Sequence, residues 1–304
     1  MNPETSPTWQ ACGKSIRGAS HVRDQRPNQD AIAWSAGPGD GLPLVMAISD
    51  GHGSQRSFRS DIGAAIAVDT LSHVLSEFAG LPVTDFLSLK KDAARILPHD
   101  LEYRWKRQVL DHLIQYPFNE RETETLYVYR EKEEGKTPML NPFLAYGATV
   151  LGVLVTRDFH LFLQLGDGDL ITVQDDGRVV RPLPHDPRLL GNATTSLCTR
   201  SAASDVRIRL VPNGQTTPAL ILVSTDGYSN SFKDDTEFLQ IGPDILGFIR
   251  ADGLKQVSAQ LGEWLEETSR VGSGDDITLG IISRLEEAPR PAPTADEPLS
   301  QNTP

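Results

Sequence analysis

The sequence predicts an α+β fold in which antiparallel sheets are covered by helices. Short runs rich in Val, Ile and Leu, bounded by Gly, Asp or Pro, recur along the chain and read as strands. They cluster on either side of a helical, charged middle and show few strand-helix-strand alternations, which points to antiparallel sheets. Longer segments repeat apolar residues on a helical period.

The predicted strands are Ala31–Trp34, Leu44–Ser49, Ala148–Thr156, Phe159–Leu165, Leu170–Gln174, Val206–Val211, Ala219–Thr225 and Ile277–Ser283. The predicted helices are Phe58–Phe78, Asp100–Gln115 and Gly253–Arg270, the last with Leu254, Val257, Leu261, Trp264 and Leu265 on one side. Residues 1–12 are polar with two prolines and are expected to be flexible. Residues 13–285 are expected to form one domain carrying a helical excursion at 81–145, which includes the charged run EKEEGK. The tail from Glu286 has five prolines in 19 residues and no apolar periodicity, so disorder is expected there.

Composition narrows the function. Hydrophobic residues make up 38% and charged residues 23%, as in a soluble globular protein. No run approaches the ~18 apolar residues of a membrane span. The first residues lack the basic-then-apolar pattern of a signal peptide. Two cysteines, Cys12 and Cys198, cannot form a disulfide framework, so a cytoplasmic location is expected. A net charge of −12 argues against nucleic acid or an anionic membrane as a partner.

The chemistry lies in recurring aspartates at strand ends. The apolar run Leu44–Ile48 ends on Ser49-Asp50-Gly51-His52-Gly53. Asp226-Gly227 follows a second apolar strand and Asp167-Gly168 a third, while Asp275-Asp276 and Asp30 each precede a strand. In antiparallel pairing the start of one strand lies beside the end of its neighbour, so these residues can gather at one sheet edge. Carboxylates that close repel and raise one another's pKa unless a cation sits among them. Mg²⁺ or Mn²⁺ suits such oxygen ligands. Two such ions roughly 3.5–4 Å apart can activate a bridging water for in-line attack on a phosphoryl group. His52, in the glycine-flanked turn, is placed to protonate a leaving oxygen. Arg17, Arg23 and Arg26 precede Asp30, and any one of them could supply a guanidinium for the phosphate.

Together the segments RPNQDA, SDGHGS, GATVLGVLV, LGDGD, STDGYSNSF and GSGDDITLG resemble, in order, the metal-dependent serine/threonine protein phosphatases of type 2C, in particular a bacterial subgroup. The resemblance implies a four-layer α-β-β-α sandwich with a metal site at the sheet edge. It implies a hydrolase that uses Mg²⁺ or Mn²⁺ on phosphoserine and phosphothreonine of proteins, beside a partner kinase. By position, Asp50 bridges two metals, the Gly51 carbonyl completes the first site, and Asp226 and Asp275 hold the second. Asp30 binds a metal-bound water, His52 is the general acid, and Asp167 joins Asp226 at a third, weaker site.

Departures from the family pattern are specific. Gln29 stands at the usual glutamate, and Gln25 at the usual phosphate-binding arginine, leaving Arg26 first and Arg23 second for that role. Gly168-Asp169 replaces the usual Ser-Arg. Asp275 fits the ligand position better than Asp276, which stays open. The alternative function is a catalytically weak domain that binds phosphoproteins or a partner kinase. Other phosphatase chemistries find no motif: the residue six after Cys198 is Ser204 rather than Arg, and no Gly-x-Ser-x-Gly occurs.

Overall fold

Two central strands are buried along their whole length and a third up to its last residue, Asp50, so they are covered on both faces and show no alternation of apolar and polar residues. The computed structural model describes residues 8–82, 85–128, 139–189, 194–214 and 217–285. In chain order the elements begin with β1 (Thr8–Ile16), α1 (Ala19–Arg23), β2 (Asp30–Ala36), β3 (Leu44–Asp50), α2 (Ser60–Ala79), α3 (Phe86–Gln115) and α4 (Glu120–Thr125). A small hairpin of β4 (Tyr127–Val128) and β5 (Met139–Leu140) leads to a 3₁₀ turn at Pro142–Tyr146. Then come β6 (Val150–Val155), β7 (Phe159–Leu165), β8 (Asp169–Val173), β9 (Val179–Val180), α5 (Ala202–Asp205) and β10 (Arg207–Pro212). The chain closes with β11 (Leu220–Ser224), α6 (Asp226–Ser229), α7 (Asp235–Asp252), α8 (Leu254–Val271) and β12 (Ile277–Leu285).

Two five-stranded sheets form, ordered β1-β12-β11-β8-β9 and β10-β7-β6-β3-β2, with antiparallel pairing throughout. Leu44, Met46, Ile48, Leu151 and Val153 of one sheet interleave with Ile221, Val223 and Ile282 of the other. Helices α2 and α3 cover the outer face of the β3 sheet, with Leu71, Leu75, Leu97 and Trp105 fully buried. Helices α7 and α8 cover the outer face of the β11 sheet through Phe238, Ile245, Leu261 and Leu265. The predicted four-layer α-β-β-α sandwich is therefore the observed one. The sheets pack closely at Gly280, where a Cβ would overlap the Met46 side chain.

Helix α2 is long and apolar enough to cross a membrane by composition alone. Here Ala64, Ala67, Leu71, Val74 and Leu75 of that helix lie buried in the core.

Three expectations need correction. Residues 8–12, expected to be loose, belong to β1, which pairs with β12 and buries Trp9 and Cys12. Helix α3 begins at Phe86, capped by the Asp85 side chain, rather than at Asp100, and it passes through Pro98. Helix α7 was not anticipated; Pro243 interrupts its sequence pattern, yet Phe238, Ile241, Ile245 and Ile249 share its buried side. The EKEEGK run and the proline-rich tail lie outside the described residues.

Candidate active site

Strand pairing brings the first two aspartates together. Asp30 opens β2 and stands directly opposite Asp50, the last residue of β3. Past Asp50, the Gly51 amide donates to the Gln29 carbonyl (3.0 Å), and Gly51 bridges to Ala148. A Cβ on Gly51 would lie 2.6 Å from both the Gln29 and the Ser60 carbonyl oxygens, so only glycine fits this crossing. The His52 amide then donates to the Gly147 carbonyl (2.9 Å), which fixes where the imidazole begins.

The other sheet supplies the rest. Asp226 follows β11 and opens α6, and Asp275 lies just before β12, the strand paired with β11. Asp167 sits in the turn between β7 and β8, where Gly166 takes a φ of 111°. A cleft of about 760 Å³ is lined by Asp50, Gly51, His52, Asp167, Asp226 and Asp275, with Arg26 and Gln29 on its wall.

The carboxylates act on one another electrostatically. Burial first, then the charges of Asp30, Asp226 and Asp275, push Asp50 well above its ordinary range. Asp226 is raised by burial and by the charges of Asp167 and Asp275, and its carboxyl lies within hydrogen-bonding reach of Asp50. Asp30 is raised mainly by burial, although the Thr225 and Thr278 hydroxyls each donate to its Oδ2 at 2.8 Å. His52 is shifted down by burial, against the opposing pull of Asp167.

Asp276 behaves differently from its neighbour. Its Oδ1 accepts from the Gly18 amide (2.6 Å), its Oδ2 accepts from the Gln29 amide (2.7 Å), and His21 Nδ1 lies 2.8 Å from Oδ2. Both Asp276 oxygens are thus tied to the fold, bracing the start of the domain against its end, while the residue still borders the cleft. Asp275 keeps a side chain 53% exposed at the cleft. Arg23 is removed from the site: its side chain is 74% exposed and pairs with Asp24. Asp169 lines a second cavity of about 570 Å³ rather than the first, and Arg181 holds its Oδ1 there. That cavity shares Asp167 and Asp226 with the first.

Sequence reasoning missed His21, which is buried with its Nε2 3.4 Å from Asp275 Oδ1. It also missed Thr225 and Thr278, whose hydroxyls hold Asp30. Thr225 directly precedes Asp226, and Thr278 begins two positions after Asp276, so proximity to the acidic motifs was the available signal.

The donor chemistry fits a hard divalent cation: aspartate oxygens that repel one another, plus the backbone of Gly51 at the cleft wall. Among the described residues, no three His, Cys, Asp or Glu side chains close on a single point as a formed metal site. The fit therefore rests on donor type and mutual repulsion.

The two-sheet sandwich, with an aspartate-lined cleft at its edge, is the architecture of the phosphatase 2C class. The sequence profile of the protein phosphatase 2C family matches residues 17–266, well over half of the chain, and the chain belongs to that family. Among solved structures, the catalytic domain of the serine/threonine protein phosphatase PstP in complex with two manganese ions is 15% identical. That match has a TM-score of 0.54 and covers 92% of this chain and 100% of the other. Stp1 from Staphylococcus aureus is 14% identical with a TM-score of 0.54, over 94% and 98% of the two chains. PppA, a regulatory component of T6SS in Pseudomonas aeruginosa, is 16% identical with a TM-score of 0.53, over 91% and 97%. At these identities the likeness is one of fold. No curated protein sequence matches the chain.

Proposed function

We propose that the protein hydrolyses phosphoserine and phosphothreonine in proteins with the help of Mg²⁺ or Mn²⁺. The observation that carries this reading is the meeting of Asp50 from one sheet with Asp226 and Asp275 from the other at one cleft, with Asp30 paired opposite Asp50. Asp50 and the Gly51 carbonyl would hold one cation, Asp50, Asp226 and Asp275 a second, and Asp167 with Asp226 a weaker third. When bound, such cations activate water and neutralise phosphoryl charge.

The chain's own residues do the remaining work. Asp30, held by two threonine hydroxyls, accepts a proton from water in the cleft. Arg26 grips the phosphoryl oxygens, and His52 donates a proton to the leaving serine or threonine oxygen. A kinase acting on the same protein is the natural counterpart, and a cytoplasmic setting suits the two free cysteines. The competing reading, a phosphoprotein-binding domain with little turnover, draws on Gln29 at the usual glutamate and on Gln25 at the usual phosphate-binding arginine.

Turnover of p-nitrophenyl phosphate and of a phosphothreonine peptide, with added Mn²⁺ and with a chelator, tests the proposal. Chelator-sensitive turnover that Asp50→Asn reduces by about 10²-fold or more supports it. Turnover unaffected by both chelator and Asp50→Asn refutes the metal assignment.

A further inference from the structure

The acceptor left over at Gln29 has no use in the hydrolytic scheme, yet its position is specific. Gln29 is 9% exposed and sits on the wall of the cleft. Its amide nitrogen donates to the His52 carbonyl (3.3 Å) and to the Ser60 hydroxyl. Because a backbone carbonyl only accepts, that contact decides which end of the amide is nitrogen. The other end, Oε1, is buried without a hydrogen-bond partner. An unsatisfied buried acceptor costs about 1–3 kcal/mol, so its persistence calls for a donor that arrives in the working state.

Arg26 is the donor within reach. A Cβ placed on Gly53 would lie 3.5 Å from Arg26 Nη1 and 3.9 Å from Gln29 Oε1, so the two groups flank the same small space. Arg26 is weakly held elsewhere: its ion pair with Asp24 spans 3.8 Å, and its side chain is 40% exposed. Four other side-chain donors on the cleft wall are committed. Ser20 donates to the Gly274 carbonyl, Thr194 to Asp167, Asn230 to Asp226 and Ser273 to the Gly227 carbonyl.

The backbone has been shaped to bring Arg26 there. Gln25 takes a φ of 56°, the one positive φ at a non-glycine position among the described residues. Such a conformation is costly away from glycine and persists only where neighbours hold it. Here the Arg26 amide donates to the His21 carbonyl (2.9 Å), and the His21 ring lies 3.1 Å from the Pro27 carbonyl. With the chain held this way, the Arg26 guanidinium lies beside Gly53.

We propose that Gln29 is a positioning residue: its side-chain carbonyl anchors one N–H of Arg26 over Gly53 and leaves the rest of the guanidinium to grip phosphate. A guanidinium has five donors, enough for one amide oxygen and a two-pronged contact with a phosphoryl group. A neutral amide suits this better than a carboxylate, which would compete with phosphate for the same charge. The inference rests on the phosphatase reading of the cleft.

A double-variant cycle tests it: Arg26→Met, Gln29→Met and both together, each loaded with Mn²⁺. Binding of inorganic phosphate is measured by calorimetry, the Mn²⁺ titration midpoint separately, and folding by the melting transition. Each single change should weaken phosphate about tenfold. The double variant should be no weaker than Arg26→Met alone, and the Mn²⁺ midpoint should stay put. Multiplying losses, or a Gln29→Met effect confined to the Mn²⁺ midpoint, would overturn the anchor. If Gln29→Met does not fold, Gln29→Glu keeps an acceptor and should change phosphate affinity only while Arg26 is present; an equal change without Arg26 overturns the proposal. The phosphatase reading fails separately, through a wild-type protein that binds phosphate but turns nothing over.

Discussion

Gly147 determines how much room His52 has. A Cβ on Gly147 would overlap His52 Cδ2 and lie 3.2 Å from the Ser57 hydroxyl and 3.4 Å from Cys198 Sγ. The surroundings are buried, so Gly147→Ala should push the imidazole off its line while leaving the carboxylates in place. General-acid help matters most for a poor leaving group and is typically worth about 10²–10⁴-fold. Turnover of a phosphoserine peptide should therefore fall about tenfold or more, and that of p-nitrophenyl phosphate much less. Equal losses on the two substrates would count against His52 as the acid. A second histidine, His160, has a different role. It is buried beside Trp9, with its ring 5.3 Å away, and its Nε2 lacks a hydrogen-bond partner although the Asn213 side chain lies close by. Burial lowers it to about 4. The unfolded chain takes up a proton near the ordinary histidine pKa, whereas the folded chain refuses it until about pH 4. Stability contributed this way is complete above about pH 6.5 and is lost progressively as pH falls toward 4, by about 3 kcal/mol in all. His160→Phe should flatten the pH dependence of urea midpoints over that window; an unchanged slope would disprove the assignment.

Among the elements, Arg181 ties the edge of the β11 sheet to helix α7. Just past β9, its guanidinium donates to Asp169 (3.0 and 3.2 Å) and to both oxygens of Asp235 (2.6 and 2.9 Å), above the Phe238 ring. Asp169 is 7% exposed, so Arg181→Met would leave a buried carboxylate unpaired, at a cost of about 3–5 kcal/mol. Asp235 is exposed, and Asp235→Ala should cost under about 1 kcal/mol. Urea unfolding separates the two; similar losses would mean that Asp235, not Asp169, is the partner that matters. Helix α7 also shows where the sequence was opaque. Its apolar side is regular, but Pro243 breaks the pattern that a linear reading depends on, whereas the structure simply accommodates the ring within the helix. Strand β1 was hidden for another reason: its buried residues, Trp9, Cys12 and Ile16, are spaced by three and four rather than by two, so the sequence shows no strand period. The central strands were legible because burial on both faces leaves an uninterrupted apolar run. The aspartate cluster was legible for a similar reason, since each acid interrupts such a run at its end. The separation of Asp275 from Asp276 was not, because it depends on which carboxylate meets the Gly18 and Gln29 amides across 258 and 247 positions of sequence.

Across the whole molecule, the site exists only while the two sheets are docked. One sheet and its turns bring Asp30, Asp50 and Asp167, and the other brings Asp226 and Asp275. Folding therefore gathers negative charge that the unfolded chain keeps apart. Asp30, Asp50 and Asp226 are all raised in the fold, so the folded protein retains protons that the unfolded chain gives up as pH rises through the ordinary carboxylate range. For this cluster, stability without metal is present at low pH and is lost as pH climbs toward the raised values. A cation that binds only the folded sandwich reverses the loss. At a hundredfold excess over its dissociation constant it adds about 2.7 kcal/mol, which for a domain of this size raises the melting temperature by roughly 5 °C or more. The measurement belongs at pH 7.5, where His160 is neutral in both states and drops out of the comparison. Asp50→Asn should then do two things at once. It should raise the melting temperature of the metal-free protein, because one repelling charge is gone, and it should shrink the Mn²⁺ shift, because the shared ligand is gone. Wild type unmoved by Mn²⁺, with Asp50→Asn no more stable than wild type without it, would show that the carboxylates carry no electrostatic load and do not form a cation site.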